Sequence, residues 1–443
     1  MLELFSYGVT SLWLEMAGVN MTLQNTANQT VAISKWQAGL PQLLAPPNSD
    51  LVLKKKIEAY LDDLQNQGLL IDAPQGIWFQ SEFMPLVGEN STMAMPAASL
   101  TKIATTLASL HRWGMNHQWE TIVGASGPIE NGVLKGDLLI TASGDPFFMW
   151  EEAIALGNSL NQLGLKQVTG NLIITGPFAF NYESEPVIAG EFFREAINAN
   201  TWSRDIQAKH GKMVKGTAKP KITVAGNVQY VKTPPQSKPL VRHLSPQLLY
   251  ILRQMNVESD NKLADLLTTG LGGVKIVEQQ ALWSTGVPTA EIKLQNGSGL
   301  TDYNFISPRA SSALLIAVQR ALQGSNWNIA DLFPVGGQDQ GTLEERRLPK
   351  GTVVKTGTLD DVIALAGVLP TRDRGLVWFT LVNRGTDWYG LRSAQDRLLQ
   401  DLTKSWGGAI TPGIQPHITM KNLVLGEPQR NQIINSLVDN NRQ

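Results

Sequence analysis

Cysteine is absent from this sequence, and with it go disulfides, thiolate metal sites, iron–sulfur clusters and cysteine nucleophiles. Histidine is scarce. Five occur, at 111, 117, 210, 243 and 417, none in an HExxH pattern, which argues against a zinc hydrolase. A surplus of one charge is missing too: 37 basic side chains face 38 acidic ones, a net charge of −1. The basic footprint of a nucleic-acid binder is therefore not there. Long apolar runs are also lacking. Residues 2–19 come nearest, but Glu3 and Glu15 interrupt them, leaving a stretch too short and too acidic for a membrane span. The first basic residue after the start is Lys35, so the positive region that opens a secretory signal is missing. The segment reads as an N-terminal helix packed on the domain rather than an export signal.

The rest has the texture of a folded protein, with 42% hydrophobic and 17% charged residues. A length of 443 calls for two or three domains. Residues 53–69 carry apolar side chains at helical spacing, and 76–79 read as a strand. The clearest helix is MPAASLTKIATTLASLHRWG, where Pro96 suits a helix start and Leu100, Ile103, Ala104, Leu107 and Leu110 recur on one face. From about 130 the texture changes to strands bounded by glycine and proline, GVLKGDLLITASGDP and VTGNLIITG, with a helix over 150–163 between them. Residues 204–240 are polar and Lys/Pro-rich, and TPPQSKP reads as a linker. A second globular region begins at Leu244, with helices near 245–268 and 307–323 and strands near 352–355, 362–369 and 376–383. After Gly408 the tail is rich in Pro, Asn and Gln and reads as surface chain.

Three short motifs carry chemistry. In Ser99-Leu100-Thr101-Lys102 the hydroxyl and the amine stand three apart, so on a helix they share a face. A serine needs an adjacent base, and a lysine becomes one when burial and neighbouring positive charge lower its pKa. The helix dipole assists at that end. Ser259-Asp260-Asn261 precedes a helical NKLADLLTTG, and Lys355-Thr356-Gly357-Thr358 ends a strand-like run. A glycine there marks a close approach of backbone or ligand. Each alone has a structural explanation: a capping serine, an N-cap, a lysine guarding a strand edge. Together, in this order and in these settings, they form the set shared by class A β-lactamases and penicillin-binding proteins.

Spacing narrows the choice. Between Lys102 and Ser259 lie enough residues for strands and linkers of another domain. In this the chain resembles the class C low-molecular-mass penicillin-binding proteins, the D-alanyl-D-alanine carboxypeptidase/endopeptidase family. LKGDLLITASGDP, VRHLSPQLLYILRQMNVESDNKLAD, NGSGLTDYNFISP and GQDQGTLEERR followed by KTGTLDDVIALAGVL carry the same resemblance over roughly residues 75–400. It departs in a shorter insert and in Gln338 and Gln340 before GTL. The implied fold is α+β: a penicillin-binding/transpeptidase-like domain, an antiparallel sheet flanked by helices, with an inserted, strand-rich second domain. The expected bounds are 1–125 and 241–443 for the catalytic domain and 126–240 for the insert.

The resemblance implies a role for each motif residue. Ser99 attacks the carbonyl between two D-alanines and Lys102 takes its proton, while the N–H groups of Ser99 and Thr358 hold the oxyanion. Ser259 relays a proton to the leaving D-alanine beside Lys355, and Asn261 binds the substrate amide. Lys355, Thr356 and Thr358, with Gly357 between them, receive the terminal carboxylate as the peptide lies along the strand. Peptidoglycan peptides and β-lactams are the implied partners, with no metal or organic cofactor. The implied location is the periplasm or cell envelope. A β-lactamase or esterase on the same scaffold, or a non-catalytic cell-wall-binding scaffold, are the rival readings. Ser298 in NGSGL lacks the GxSxG setting of a nucleophile, GLGG at 270–273 lacks a dinucleotide fingerprint, and Asp145 in Gly-Asp-Pro reads as a turn carboxylate.

Overall fold

The computed structural model describes residues 50–81, 84–408 and 414–434; the N-terminal helix expected over 2–19 lies outside them. Its central sheet has five strands, in the order Val353–Leu359, Val362–Thr371, Gly375–Arg384, Gly76–Gln80 and Pro85–Glu89. The first four run antiparallel to their neighbours. All ten residues of Val362–Thr371 are buried, because helices cover both faces. Helices Leu51–Asn66 and Trp388–Trp406 seal one side around Ile77, Phe79, Leu365 and Leu381. The other side meets Thr101–Trp113, Leu248–Glu258, Asn261–Gly270, Val274–Thr285 and Pro308–Ala321. A strand covered on both faces loses its apolar–polar alternation, which is why IALAGVL reads as one apolar run.

The expected apolar stripe of the central helix is the one buried: Leu100, Ile103, Ala104, Leu107 and Leu110 all lie in the main core. Each large side chain among them contributes on the order of 2 kcal/mol by leaving water. The start differs from expectation. Pro96 sits in a two-residue strand, Met95–Pro96, paired with Phe305–Ile306, and the helix opens later through a 3-10 turn, Ala98–Leu100.

A second, mixed sheet of six strands combines the segment expected as an insert with chain on either side of it, in the order Val228–Tyr230, Leu172–Thr175, Leu138–Ala142, Glu120–Ala125, Lys238–Leu244 and Asn431–Ile433. Helices Trp150–Gln162 and Pro186–Ala196 pack on it around Ile140, Ile174, Leu156 and Phe193. Strand Glu120–Ala125, which ends at the expected bound 125/126, and strand Lys238–Leu244, which crosses the expected bound 240/241, pair with each other here. The polar stretch 204–240 holds a helix, Arg204–Lys212, and the short strands Thr223–Val224 and Val228–Tyr230, and TPPQSKP, expected as a linker, runs into Lys238–Leu244, which takes in its last two residues. Polar composition misled there because both the helix and the edge strand Val228–Tyr230 keep exposed faces.

The tail also departs from a surface path. Ile414 and Ile418 are buried in the main core, His417 bonds Asp331, and Asn431–Ile433 adds a strand beside Lys238–Leu244. None of the described helices is long and apolar enough to cross a membrane.

Candidate active site

Ser99 stands in the 3-10 turn that opens the central helix, where the preceding Ala98 has φ +48°. A non-glycine residue held there costs roughly 1 kcal/mol or more and persists only where its surroundings enforce it. Two glycines enforce it. Gly299, itself at φ +81°, lies so close that an added Cβ would stand 1.8 Å from the Ala98 carbonyl oxygen. A Cβ on Gly357 would come within 3.0 Å of the Ala98 Cβ and 3.2 Å of the Ala97 oxygen. The NGSGL turn and the KTG strand thus clamp the serine turn from two sides. Asn304 ties the clamp, its Nδ2 donating to Thr101 Oγ1 and the Asn296 carbonyl, while its backbone oxygen accepts from Ala97.

Lys102 is fully buried one turn after Ser99. Its Nζ lies 2.9 Å from Ser99 Oγ, 2.6 Å from Asn261 Oδ1 and 2.7 Å from the Ser298 carbonyl oxygen. A neutral amine has two N–H bonds and one lone pair. With the two carbonyl oxygens taking the N–H bonds, the lone pair is left for the hydroxyl of Ser99. Burial pushes the Lys102 pKa down to about 7, opposed by the charges of Asp265 and Asp260. The amine can therefore shed its proton near neutral pH.

Ser259 ends helix Leu248–Glu258 in the left-handed region, φ +55°, and Asp260 caps the next helix by accepting from the Leu263 N–H. This reversal aims Ser259 and Asn261 at the same space. Lys355 is fully buried in the edge strand, its Nζ 2.9 Å from Ser259 Oγ and 2.9 Å from the Thr356 carbonyl. Burial, and then the charge of Lys102, hold its pKa well below the ordinary lysine value.

These residues meet in one cleft of about 400 Å³, lined by Ser99, Ser259, Asn261, Thr356, Gly357 and Thr358 among others. All eight residues singled out from sequence, Ser99, Lys102, Ser259, Asn261, Lys355, Thr356, Gly357 and Thr358, are joined into two bonded groups around it or line it directly; Gly357 also supplies the close approach to Ala98. What the arrangement can do is take a proton from a serine next to a carbonyl-sized space edged by a strand. Among the described residues, no three His, Cys, Asp or Glu side chains are grouped to hold a metal.

Against known proteins, the model of the D-Ala-D-Ala carboxypeptidase 3 (S13) family matches residues 58–184 and 190–404. The chain belongs to that family. It is 24% identical over 385 residues, 65% of this chain and 79% of the relative, to the D-alanyl-D-alanine carboxypeptidase DacB of Haemophilus influenzae. To a D-alanyl-D-alanine carboxypeptidase of an Actinomadura species it is 28% identical over 244 residues, half of this chain and 40% of that one. A predatory peptidoglycan endopeptidase of Bdellovibrio bacteriovorus superposes with a TM-score of 0.66 at 19% identity, covering 82% of this chain and 99% of the other. Penicillin binding protein 4 of Haemophilus influenzae superposes with a TM-score of 0.59 at 20% identity, covering 79% and 99%. The fold is thus the penicillin-binding α+β fold expected from the motifs, and the chain is a carboxypeptidase-family hydrolase.

Several contributors to the cleft carried no motif. Asp265 accepts from the Gly297 N–H as well as acting on Lys102. Tyr182, from the inserted segment, bonds Asp260 and is packed against the main core; burial, then that bond, raise its hydroxyl pKa. Arg392, on the last long helix, lines the cleft and donates to Thr358 Oγ1 at 3.1 Å. In sequence, only the resemblance of NGSGLTDYN hinted at the clamp; Tyr182 and Arg392 gave no signal. Asp145, read as a turn carboxylate, accepts from the Phe147 N–H two residues on, and Ser298 takes part through its carbonyl, with its hydroxyl turned to the Leu300 N–H.

Proposed function

We propose that this chain is a serine-type D-alanyl-D-alanine carboxypeptidase of the bacterial cell envelope, with Ser99 as nucleophile and Lys102 as base. The observation that carries it is the set of three contacts of the Lys102 amine, which leaves its lone pair for the serine. The Ser99 Oγ bonds the carbonyl carbon of the penultimate D-alanine as its proton passes to Nζ. The carbonyl oxygen gains the negative charge, held by the N–H groups of Ser99 and Thr358. As the oxygen re-forms its double bond, the C–N bond breaks. The leaving D-alanine nitrogen takes the proton from the Lys102 ammonium, relayed through Ser259, whose hydroxyl Lys355 orients, and Lys102 is neutral again. Water then attacks the ester, its proton passes to Lys102 and from there to the Ser99 oxygen as the ester C–O bond breaks, so that both groups return to their starting states. Asn261 serves twice, holding the base and presenting its amide toward the substrate backbone.

Incubation with penicillin followed by intact-protein mass spectrometry and peptide mapping tests this reading. One penicilloyl group on Ser99 is expected, and an unmodified Ser99, or a label elsewhere, overturns it. Rapid loss of the label by hydrolysis would instead favour a β-lactamase. Product analysis on cross-linked and linear stem peptides separates endopeptidase from carboxypeptidase action.

A further inference from the structure

The reaction proposed above acts beside a free C-terminal carboxylate, and a carboxylate entering a partly desolvated cleft needs a cation that can meet it. Four basic side chains lie in or under this cleft, and three are already committed. Lys102 is fully buried and surrounded by Ser99, Asn261 and Ser298. Lys355 is fully buried and bound to Ser259 and the Thr356 carbonyl. Arg346 lines the cleft but turns its Nε and Nη2 to Asp396 Oδ1, with Gln395 Oε1 beside them. Arg392 is different. It is half-buried, faces the cleft, and forms no ion pair among the described residues, although the exposed Glu344 and Glu345 line the same cleft.

We infer that Arg392 is the residue that reads the substrate's terminal carboxylate, as a specificity-determining partner of Thr356 and Thr358. This rests on the assignment of Ser99 as nucleophile. A guanidinium presents five N–H donors in a planar fork that matches a carboxylate, and the single bond to Thr358 leaves most of that fork for a ligand. That bond also has a direction: Thr358 Oγ1 accepts from Arg392, so its own O–H is free to donate into the cleft. The arginine is held ready. It stands one turn into helix Trp388–Trp406, whose start is fixed by the Asp387 cap on the Gly390 N–H and by Trp388 Nε1 bonding the Asp360 carbonyl. Leu391 beside it is fully buried. Lys355 then has another duty, that of holding Ser259, rather than meeting the carboxylate.

The test compares two substrates on the same preparation, a peptide ending in D-Ala-D-Ala and its C-terminal amide, in the native enzyme, Arg392→Gln and Arg392→Lys. A charge-assisted hydrogen bond of ordinary strength corresponds to a loss of roughly 10- to 100-fold. Arg392→Gln should therefore lose about that much kcat/KM on the free acid, chiefly through KM, and less than about 3-fold on the amide. Arg392→Lys should fall between, because it keeps the charge without the fork. The acid-to-amide ratio does not depend on how much of a variant is folded. Equal losses on both substrates, or no loss on the acid, overturn the inference. The same contrast between penicillin and its methyl ester, read as the rate of Ser99 acylation, applies if peptide turnover is slow. Failure of the native protein to acylate at Ser99 would instead strike the underlying assignment, and does so in an arm that does not involve Arg392.

Discussion

The cleft and the base of the inserted sheet both bury ionisable groups completely, and they answer them differently. In the cleft, among the described residues, Lys102 and Lys355 bond only neutral oxygens, those of Ser99, Asn261 and Ser298 and those of Ser259 and Thr356. No carboxylate among the described residues is within ion-pair reach of either, and burial drives both amines toward the neutral form. At the base of the inserted sheet, Glu152 is equally buried but is met by Arg430 and by the Gly426 N–H, both from the tail. Burial still raises its pKa, against the pull of Arg430. Around it, His243 is pushed down to about 4 and Asp145 up to about 7, in both cases mainly by burial. A buried charge with a counter-ion fastens two pieces of chain. A buried amine with only neutral acceptors becomes a base.

The largest effect should come from removing Lys102, the proposed base. Lys102→Ala is expected to slow penicillin acylation of Ser99 by about 100-fold or more, the usual scale of general-base loss. In the native protein, acylation should rise as pH passes upward through about 7, where Lys102 loses its proton. Rapid-quench mass spectrometry across pH 5 to 9 measures both. A flat profile, or an Ala variant as fast as the native protein, would erase the distinction between the two buried sites.

Arg430→Ala probes the fastening. Breaking a buried ion pair by removing one partner costs about 3–5 kcal/mol, so the urea midpoint should drop strongly. The acylation rate of the folded fraction should hold near the native value, since no proposed cleft residue touches Arg430. If chemistry fell while stability held, the tail would belong to the active site instead.

Asp145→Asn gives the smallest and most pH-specific effect. The native carboxyl titrates near 7 against an ordinary 3.8, so its contribution to stability is full below about 4 and is lost as pH rises through 7. His243 runs the other way, contributing above about 6.5 and losing that as pH falls through 4, but it is present in both proteins and cancels. The variant keeps an oxygen for the Phe147 N–H. Its stability gap between pH 5 and pH 8 should therefore be more favourable to pH 8 than the native gap, by about 1–2 kcal/mol after allowance for relaxation. Urea unfolding of the two proteins at both pH values is the measurement, and identical gaps would mean that Asp145 is ionised in the fold.

Much of the cleft could be read from the chain because its parts are local. Ser99 and Lys102 meet by helix geometry alone, and Ser259, Asp260 and Asn261 follow from a helix end and the next helix start. The apolar stripe from Leu100 to Leu110 and the apolar run Val362–Leu369 likewise announced a helix and a strand, and the structure added that the strand is covered on both faces. The polar stretch 204–240 gave no sign of its short elements, and the tail was misread, for a shared reason: their apolar contacts are few and widely spaced, so composition registers only the polar, solvent-facing sides.

What the sequence determined by itself was the family-wide set of reactive groups and the elements that carry them, since both depend on neighbours within a turn or a strand. The tertiary structure alone decided what those groups are able to do. The contact between Lys102 and Asn261 spans 159 positions and that between Lys355 and Ser259 spans 96. The loss of charge that turns an amine into a base exists only once the fold has taken it out of water. Arg392 reaches Thr358 across 34 positions from an otherwise ordinary amphipathic helix. That it forms no ion pair among the described residues is a property of the space around it, which no local pattern encodes.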